Sequence, residues 1–487
     1  MRPTRRTSSP PGRRDEESDV PSSLADDSAI SSELRWNQVP PRRYAGWAVA
    51  ASFFIFDVFI RMATGVVTPT LQAEFDVSAA VVSTAFGGVF FYGYGAGQLP
   101  AGTLLDRLGP KRTYILGGLL AAMGCFLFAV ARSVLVGTVG RALTGVGCAV
   151  AWIGCVKVVR LNFGAQGKLS DMMIGVSNTL GSIGGLASQA PMNAMVDSVG
   201  WRRSFMLAAL APLCLLVLAM LFIDDLPVKS PVVGPGAGAG RAGTTWQLIG
   251  KVVRAPRTWA YGVAIGGFDA PLECMAGLWG AAYLRQALGW SGADAANALT
   301  LLVVVCAASQ LLLSPLCVML HRRTWRCLLL LALALIGVAG LLPMLLASVV
   351  LQRWVVMVSI VLLGIAFGST TVTWMLISTD PMCAGATAAG TVSGAANTIC
   401  MALDAILQTG YGALLDAFWS GEHSGAERVY SPLAYSRALL LYLAALTAAA
   451  AAAIYLWHVA RREQRASDAC SSPCSEVNER QELLLGR

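Results

Sequence analysis

Seven ionisable side chains stand inside stretches of sequence that are otherwise almost wholly apolar: Asp57, Arg61, Arg141, Lys157, Asp269, Glu273 and Asp404. Asp57 and Arg61 are four residues apart, so on a helix they share a face and can form an ion pair. Asp269 and Glu273 share a face in the same way but carry like charges. Two carboxylates that close compete to stay ionised, which makes one of them a candidate proton carrier. Pro271 lies between them, interrupts the hydrogen-bond ladder and frees a carbonyl to face the interior. Arg141 has no acid nearby in sequence, and Lys157, near the end of its stretch, is long enough to snorkel.

The elements that must position these groups follow from composition. The chain has 487 residues, of which 55% are hydrophobic and only 13% charged, too few charges to cover a soluble protein of this size. Twelve apolar runs recur, at 44–68, 80–104, 113–131, 134–158, 169–195, 204–223, 258–284, 295–319, 327–349, 354–378, 386–412 and 433–459. Each is long enough to cross a hydrocarbon core of ~30 Å as a helix, and backbone in lipid must satisfy its own polar groups, which selects helices. The expected fold is an all-α polytopic membrane protein with twelve transmembrane helices. A charge at mid-bilayer costs ~2.5–3.5 kcal/mol, so seven facing lipid would exceed a typical folding stability of ~5–15 kcal/mol. Most of the seven must therefore face a wet cavity or one another.

The net charge of +8 is a topology signal and points to no nucleic-acid partner. With the N-terminus in the cytosol, only Arg132, Arg202, Arg203, Arg285, Arg353, Arg428 and Arg437 fall on the opposite loops, the bias that places both termini in the cytosol. Residues 1–43 form a polar cytosolic tail of disordered composition. Residues 44–223 form the first six-helix bundle. A Gly- and Pro-rich cytosolic linker, 224–256, follows, then the second bundle at 257–460 and a cytosolic tail at 461–487.

The two bundles repeat. GVSNTLGSIGGLASQAPMNAMVD (175–197) aligns without a gap onto GAANTICMALDAILQTGYGALLD (394–416) at an offset of 219, matching Asn178 to Asn397, Gln189 to Gln408 and Asp197 to Asp416. The same offset pairs Gly145 with Gly364 and sets Asp404 where the first copy has Gly185. A duplicated bundle around a midplane site is a common plan for secondary transporters. The three bases within spans all belong to the first half, and three of the four acids to the second. A carboxylate or phosphate would dock on Arg61 and Arg141, and an ammonium on Asp269 or Glu273. The expected solute is small and zwitterionic or anionic: an amino acid, a short peptide or a carboxylate.

The loop between the second and third spans, AGTLLDRLGPKRT (101–113), resembles the signature loop of the major facilitator superfamily through Gly102, Asp106, Arg107, Gly109, Lys111 and Arg112. The resemblance covers about 44–460 and implies a 6+6 pseudo-symmetric fold moving solutes by alternating access. It also implies that spans one, four, seven and ten line the cavity, and that Asp106 is a conformational latch steadying the outward-facing state against the N-terminus of the eleventh span near 385–387. A degenerate copy, SPLCVMLHRR (314–323), carries Val318 in place of the acid, so only the first copy is expected to act fully. Proton coupling is expected through Asp57, Asp269, Glu273 and Asp404.

Other chemistries lack residues. No ligand spacing for a metal, no His-based catalytic constellation and no phosphate-binding Gly-Lys-Ser/Thr loop is present, so neither a cofactor nor an enzyme activity is expected. The competing readings are a non-transporting sensor or scaffold on the same fold, and a carrier of organophosphates or sugar-like solutes. Trp152, Trp279, Tyr283 and Trp374 could shape a pocket or simply pack. Glu479, Leu483 and Leu484 resemble an acidic dileucine sorting signal, which implies a sorting adaptor as partner and a plasma-membrane or endolysosomal location.

Overall fold

The computed structural model describes residues 39–164, 168–225, 250–345, 352–383, 386–424 and 427–484, the side chains of a few of these excepted, among them Asp106 and all beyond Asp468. The twelve expected spans are twelve helices in two bundles of six. In chain order they run Pro41–Phe75, 79–107, Pro110–Ala129, Val134–Phe163, 168–199, Trp201–Phe222, 256–287, Gly292–Met319, Arg323–Leu345, Arg353–Ser378, Ala386–Ala417 and Pro432–Leu484. Ten are long and uniformly apolar enough to cross a membrane on those grounds alone. The others are the fifth, which carries Ser177, Asn178, Thr179 and Ser182, and the seventh, which carries Asp269 and Glu273. These two trade hydropathy for groups that face the interior. Proline opens several spans at the first turn, where its missing N–H costs nothing, as at Pro41, Pro110 and Pro256.

The repeat is visible in the breaks as well as in the residues. The fourth span is interrupted between Cys148 and Ala151 and the tenth between Phe367 and Thr370, the same two positions at the same offset of 219. The paired glycines behave alike too. A β-carbon on Gly145 would collide with the carbonyl of Phe90 in the second span, and one on Gly364 would lie 2.8 Å from Val305 Cβ and 3.0 Å from the Leu302 carbonyl in the eighth. Each glycine lets its span close on the corresponding neighbour.

The two bundles are packed unequally along their length. Toward the end remote from the termini, a β-carbon on Gly65 would sit 2.7 Å from the Gly277 carbonyl carbon, and one on Gly88 2.7 Å from Thr409 Oγ1. Toward the end that carries the termini, Gly102 and Gly394 have no described atom within 4 Å of such a position. The bundles thus touch at the remote end.

Candidate functional site

The site begins with the Gly65–Gly277 contact between the first and seventh spans. Arg61 lies one turn before Gly65, and Glu273 one turn before Gly277, so the backbone contact carries the two side chains to each other. Arg61 Nε stands 3.0 Å from Glu273 Oε1, with Glu273 fully buried and Arg61 11% exposed. Glu273 accepts no aligned hydrogen bond, so the pair is electrostatic. The expected Asp57–Arg61 pair within one helix is not what forms: Arg61 turns across the interface to Glu273, and Asp57 is left wholly buried with neither oxygen at hydrogen-bonding geometry.

Asp269 is set by a second glycine seam. Gly262 and Gly266 let the seventh span approach the eleventh, where β-carbons would lie 2.5 Å from Ile399 Cβ and 2.7 Å from Leu403 Cδ1. That approach puts Cys400 between two acids: its thiol reaches Asp269 Oδ2 at 3.6 Å and Asp404 Oδ2 at 3.8 Å. The ligand atoms of Asp269, Cys400 and Asp404 all lie within 4.8 Å of one another, a grouping that no sequence spacing announced, because Asp269 is 131 residues from Cys400. It is a geometry that could hold a cation or share a proton.

These groups border a cavity walled by both bundles. Arg61, Asp269 and Glu273 reach it, Asp57 and Asp404 lie behind it, and Asn178 and Asn397, equivalent in the repeat, both line it. Amide groups bridge the halves there: the Asn178 amide donates to Thr371 Oγ1 at 3.4 Å and to Gln310 Oε1 at 3.5 Å. Trp152 and Trp374 meet across the same wall with ring centroids 5.9 Å apart, and Phe54 packs on Trp152 at 5.0 Å. Trp279 and Tyr283 are packing residues instead, bonded to Ser83 Oγ and to the Met344 carbonyl.

Arg141 is not on the cavity. It is 1% exposed, donates Nε to the Phe86 carbonyl at 2.7 Å and Nη1 to the Ile60 carbonyl at 3.0 Å, and lies 4.7 Å from the Phe90 ring. Both carbonyls border irregular backbone, the π-turn Ser83–Gly88 and the break after Met62. The guanidinium supplies donors that the helices do not, which sequence position alone could not distinguish from a solute ligand.

At the terminal end, the first loop is held by an acid that sequence reasoning passed over as linker. Asp225 Oδ1 accepts the Lys111 backbone N–H at 2.9 Å, Arg112 Nε lies 3.8 Å from Asp225 Oδ2, and Arg107 is exposed. Gly109, at φ +82°, adopts a conformation other residues avoid, with Asp225 filling the space a side chain would need. The Asp106 side chain and residues 384–385 lie outside the described residues, as do the side chains of Glu479, Leu483 and Leu484.

The second loop, which has Val318 where the first has Asp106, holds its Arg323 in a network of acids. Arg323 donates to Asp380 Oδ2 at 2.6 Å and to Glu463 Oε2 at 2.7 Å, and Arg257 reaches the same two acids. The acids that bind these arginines come from the tenth-to-eleventh connection, Asp380, and from the twelfth span, Glu463. Burial pushes the Asp380 carboxyl up, but the Tyr261 hydroxyl, the Met382 N–H, Arg323 and Arg257 together hold it below the usual aspartate range.

Two bundles of six with duplicated breaks, a walled cavity between them and buried charges that meet across the interface define a polytopic membrane protein built as a repeat around a central cavity. The chain belongs to the major facilitator superfamily, whose family model matches residues 49–407. It is similar to an uncharacterised MFS-type transporter of Mycobacterium tuberculosis, 26% identical over 45% of this chain and 38% of that one. A probable sulfoacetate transporter of Cupriavidus necator is 23% identical over 39% of this chain and 46% of its own length. The matches thus span less than half of these curated relatives. The fold is shared with the crystal structure of a bacterial homologue of the human lysosomal transporter Spinster in an inward-facing, unoccupied conformation. That match has a TM-score of 0.65 and 16% identity, and covers 86% of this chain and 97% of the other.

Proposed function

We propose that this transporter carries a small polar organic solute bearing an ammonium group, zwitterionic in preference to purely anionic, by proton-coupled alternating access. The observation that carries the reading is the Arg61–Glu273 pair on the cavity wall. Arg61 is already neutralised and Arg141 is committed to backbone carbonyls, so no unpaired cation faces the cavity among its described lining residues, while Asp269 remains as an acid. An ammonium group docks on Asp269. A carboxylate competes for Arg61 only when a proton neutralises Glu273, because leaving a buried carboxylate without its partner is costly. Solute and proton thereby enter together, and Asp404 behind Cys400 gives the proton a second carboxylate to occupy. The Asn178, Gln310 and Asn397 amides and the Trp152–Trp374 wall shape the rest of the pocket.

The Lys/Arg bias supports a cytosolic location for both termini, and on that reading the end at which the bundles touch is the outer one. The membrane is the plasma membrane or an endolysosomal one, the latter if Glu479, Leu483 and Leu484 recruit a sorting adaptor. Asp106 acts as the latch of the outward-facing conformation. The test is uptake of labelled amino acids, dipeptides and carboxylates into proteoliposomes with and without an inward proton gradient. The expected result is gradient-driven uptake that Glu273→Gln uncouples; gradient-independent uptake unchanged by Glu273→Gln overturns the coupling, and a preference for solutes without an ammonium group overturns the class.

A further inference from the structure

We propose that Asp416 is the positioning residue that holds the remote end of the transporter shut, and so sets how the chain divides its time between its two open forms. Asp416 ends the eleventh span, in the second bundle. Its carboxylate crosses to the first bundle and grips the start of the second span: Oδ1 accepts the Ala79 N–H at 3.0 Å and Oδ2 the Ala80 N–H at 2.7 Å. The Tyr430 hydroxyl donates to Asp416 Oδ1 at 3.0 Å, and accepts the Ala79 N–H at 3.1 Å and the Gln72 amide at 3.3 Å. These N–H groups have no partner within their own helix, and the positive end of the helix favours a carboxylate. Charge-assisted bonds of this kind are stronger than neutral ones.

Three observations make this more than a helix cap. Donor and acceptor belong to different bundles, so both bonds must break when the remote end opens. The grip also sits on the tightest part of the seam, where a β-carbon on Gly412 would lie 2.5 Å from the Ala79 carbonyl, whereas Gly102 and Gly394, toward the other end of the same two spans, face open space among the described residues. Finally, the equivalent residue of the first copy, Asp197, does not do this: it accepts the Asn193 amide one turn back in its own helix at 2.9 Å. The cross-bundle carboxylate is therefore specific to one seam and is no by-product of the repeat. It touches neither the cavity nor any of its charged residues, and the inference holds whatever the solute or coupling ion.

Hydrogen–deuterium exchange of the full chain in lipid nanodiscs tests it without any solute. In Asp416→Asn, exchange over residues 76–86 is expected to rise about fivefold, and exchange over 101–113 at the opposite end is expected to fall, because closing one end accompanies opening the other. Asp416→Glu should restore most of the wild-type pattern, and Tyr430→Phe should give the same paired change at smaller size. If 76–86 speeds up while 101–113 is unchanged, Asp416 is only a cap and the proposal fails; it fails equally if neither region changes. Should Asp416→Asn not fold, Tyr430→Phe carries the same paired readout.

Discussion

The two bundles are copies in scaffold and opposites in charge. Breaks fall at Cys148–Ala151 and at Phe367–Thr370, and Gly145 and Gly364 admit equivalent neighbours. Yet the first copy brings Arg61 to the cavity and the second brings Asp269 and Glu273, with Asp404 behind them where the first copy has Gly185. Backbone architecture is set by small residues and helix interruptions, which duplication preserves. Chemistry is set by a few substitutions on that backbone, and these have diverged. Where one half is electrically incomplete, the other completes it.

That contrast can be broken most severely at its junction. Arg61→Ala leaves Glu273 buried without a partner and is expected to cost about 3–5 kcal/mol, seen as a fall in melting temperature together with loss of uptake. The double variant Arg61→Ala/Glu273→Ala should recover much of the stability and none of the gradient-driven uptake. Next in size are the scaffold glycines. Gly145→Val and Gly364→Val should each destabilise by about 1–3 kcal/mol through overpacking, and the contrast between conserved scaffold and diverged charge is undermined if one of the two is neutral by thermal melting.

The two loops sharpen the comparison at lower amplitude. Arg323→Ala removes a cation from Asp380 and Glu463 and should lower the melting temperature measurably, whereas Arg112→Ala, with its side chain 69% exposed, should cost less than about 0.5 kcal/mol of stability and leave the melting temperature almost unmoved. The smallest effect concerns pH. The Asp380 carboxyl is held below its ordinary range, so its contribution is fully present above the unfolded value of ~3.9 and is lost as pH falls below that through the native value. The melting-temperature gap between wild type and Asp380→Asn should be constant above ~4 and shrink below it; a gap that stays constant below ~4 would show that Asp380 stays unprotonated there or owes nothing to its charge.

The spans, the repeat and the loop were legible because they are written in runs and spacings. Arg61, Asp269 and Glu273 were legible as charges that lipid would not tolerate. Their pairing was not, because a four-residue spacing favours Asp57 as partner, and only the Gly65–Gly277 approach makes the distant Glu273 the nearer one. Arg141 shows the same limit: an arginine within a span reads as a solute ligand until the carbonyls it serves are seen. Asp225, Asp380 and Asp416 lay in or beside connections, where acids read as solvated charge, and each instead answers a backbone N–H brought to it by the fold.

The backbone contact of Gly65 with Gly277 has a mechanical consequence. At these two glycines backbone meets backbone with no β-carbon in the way, so the first and seventh spans can part and close there at little steric cost, and the Arg61–Glu273 pair sits one helical turn from the contact. Opening of the remote end therefore separates the two backbones beside the pair, and the movement that parts the glycines also loosens the bond between the two charges.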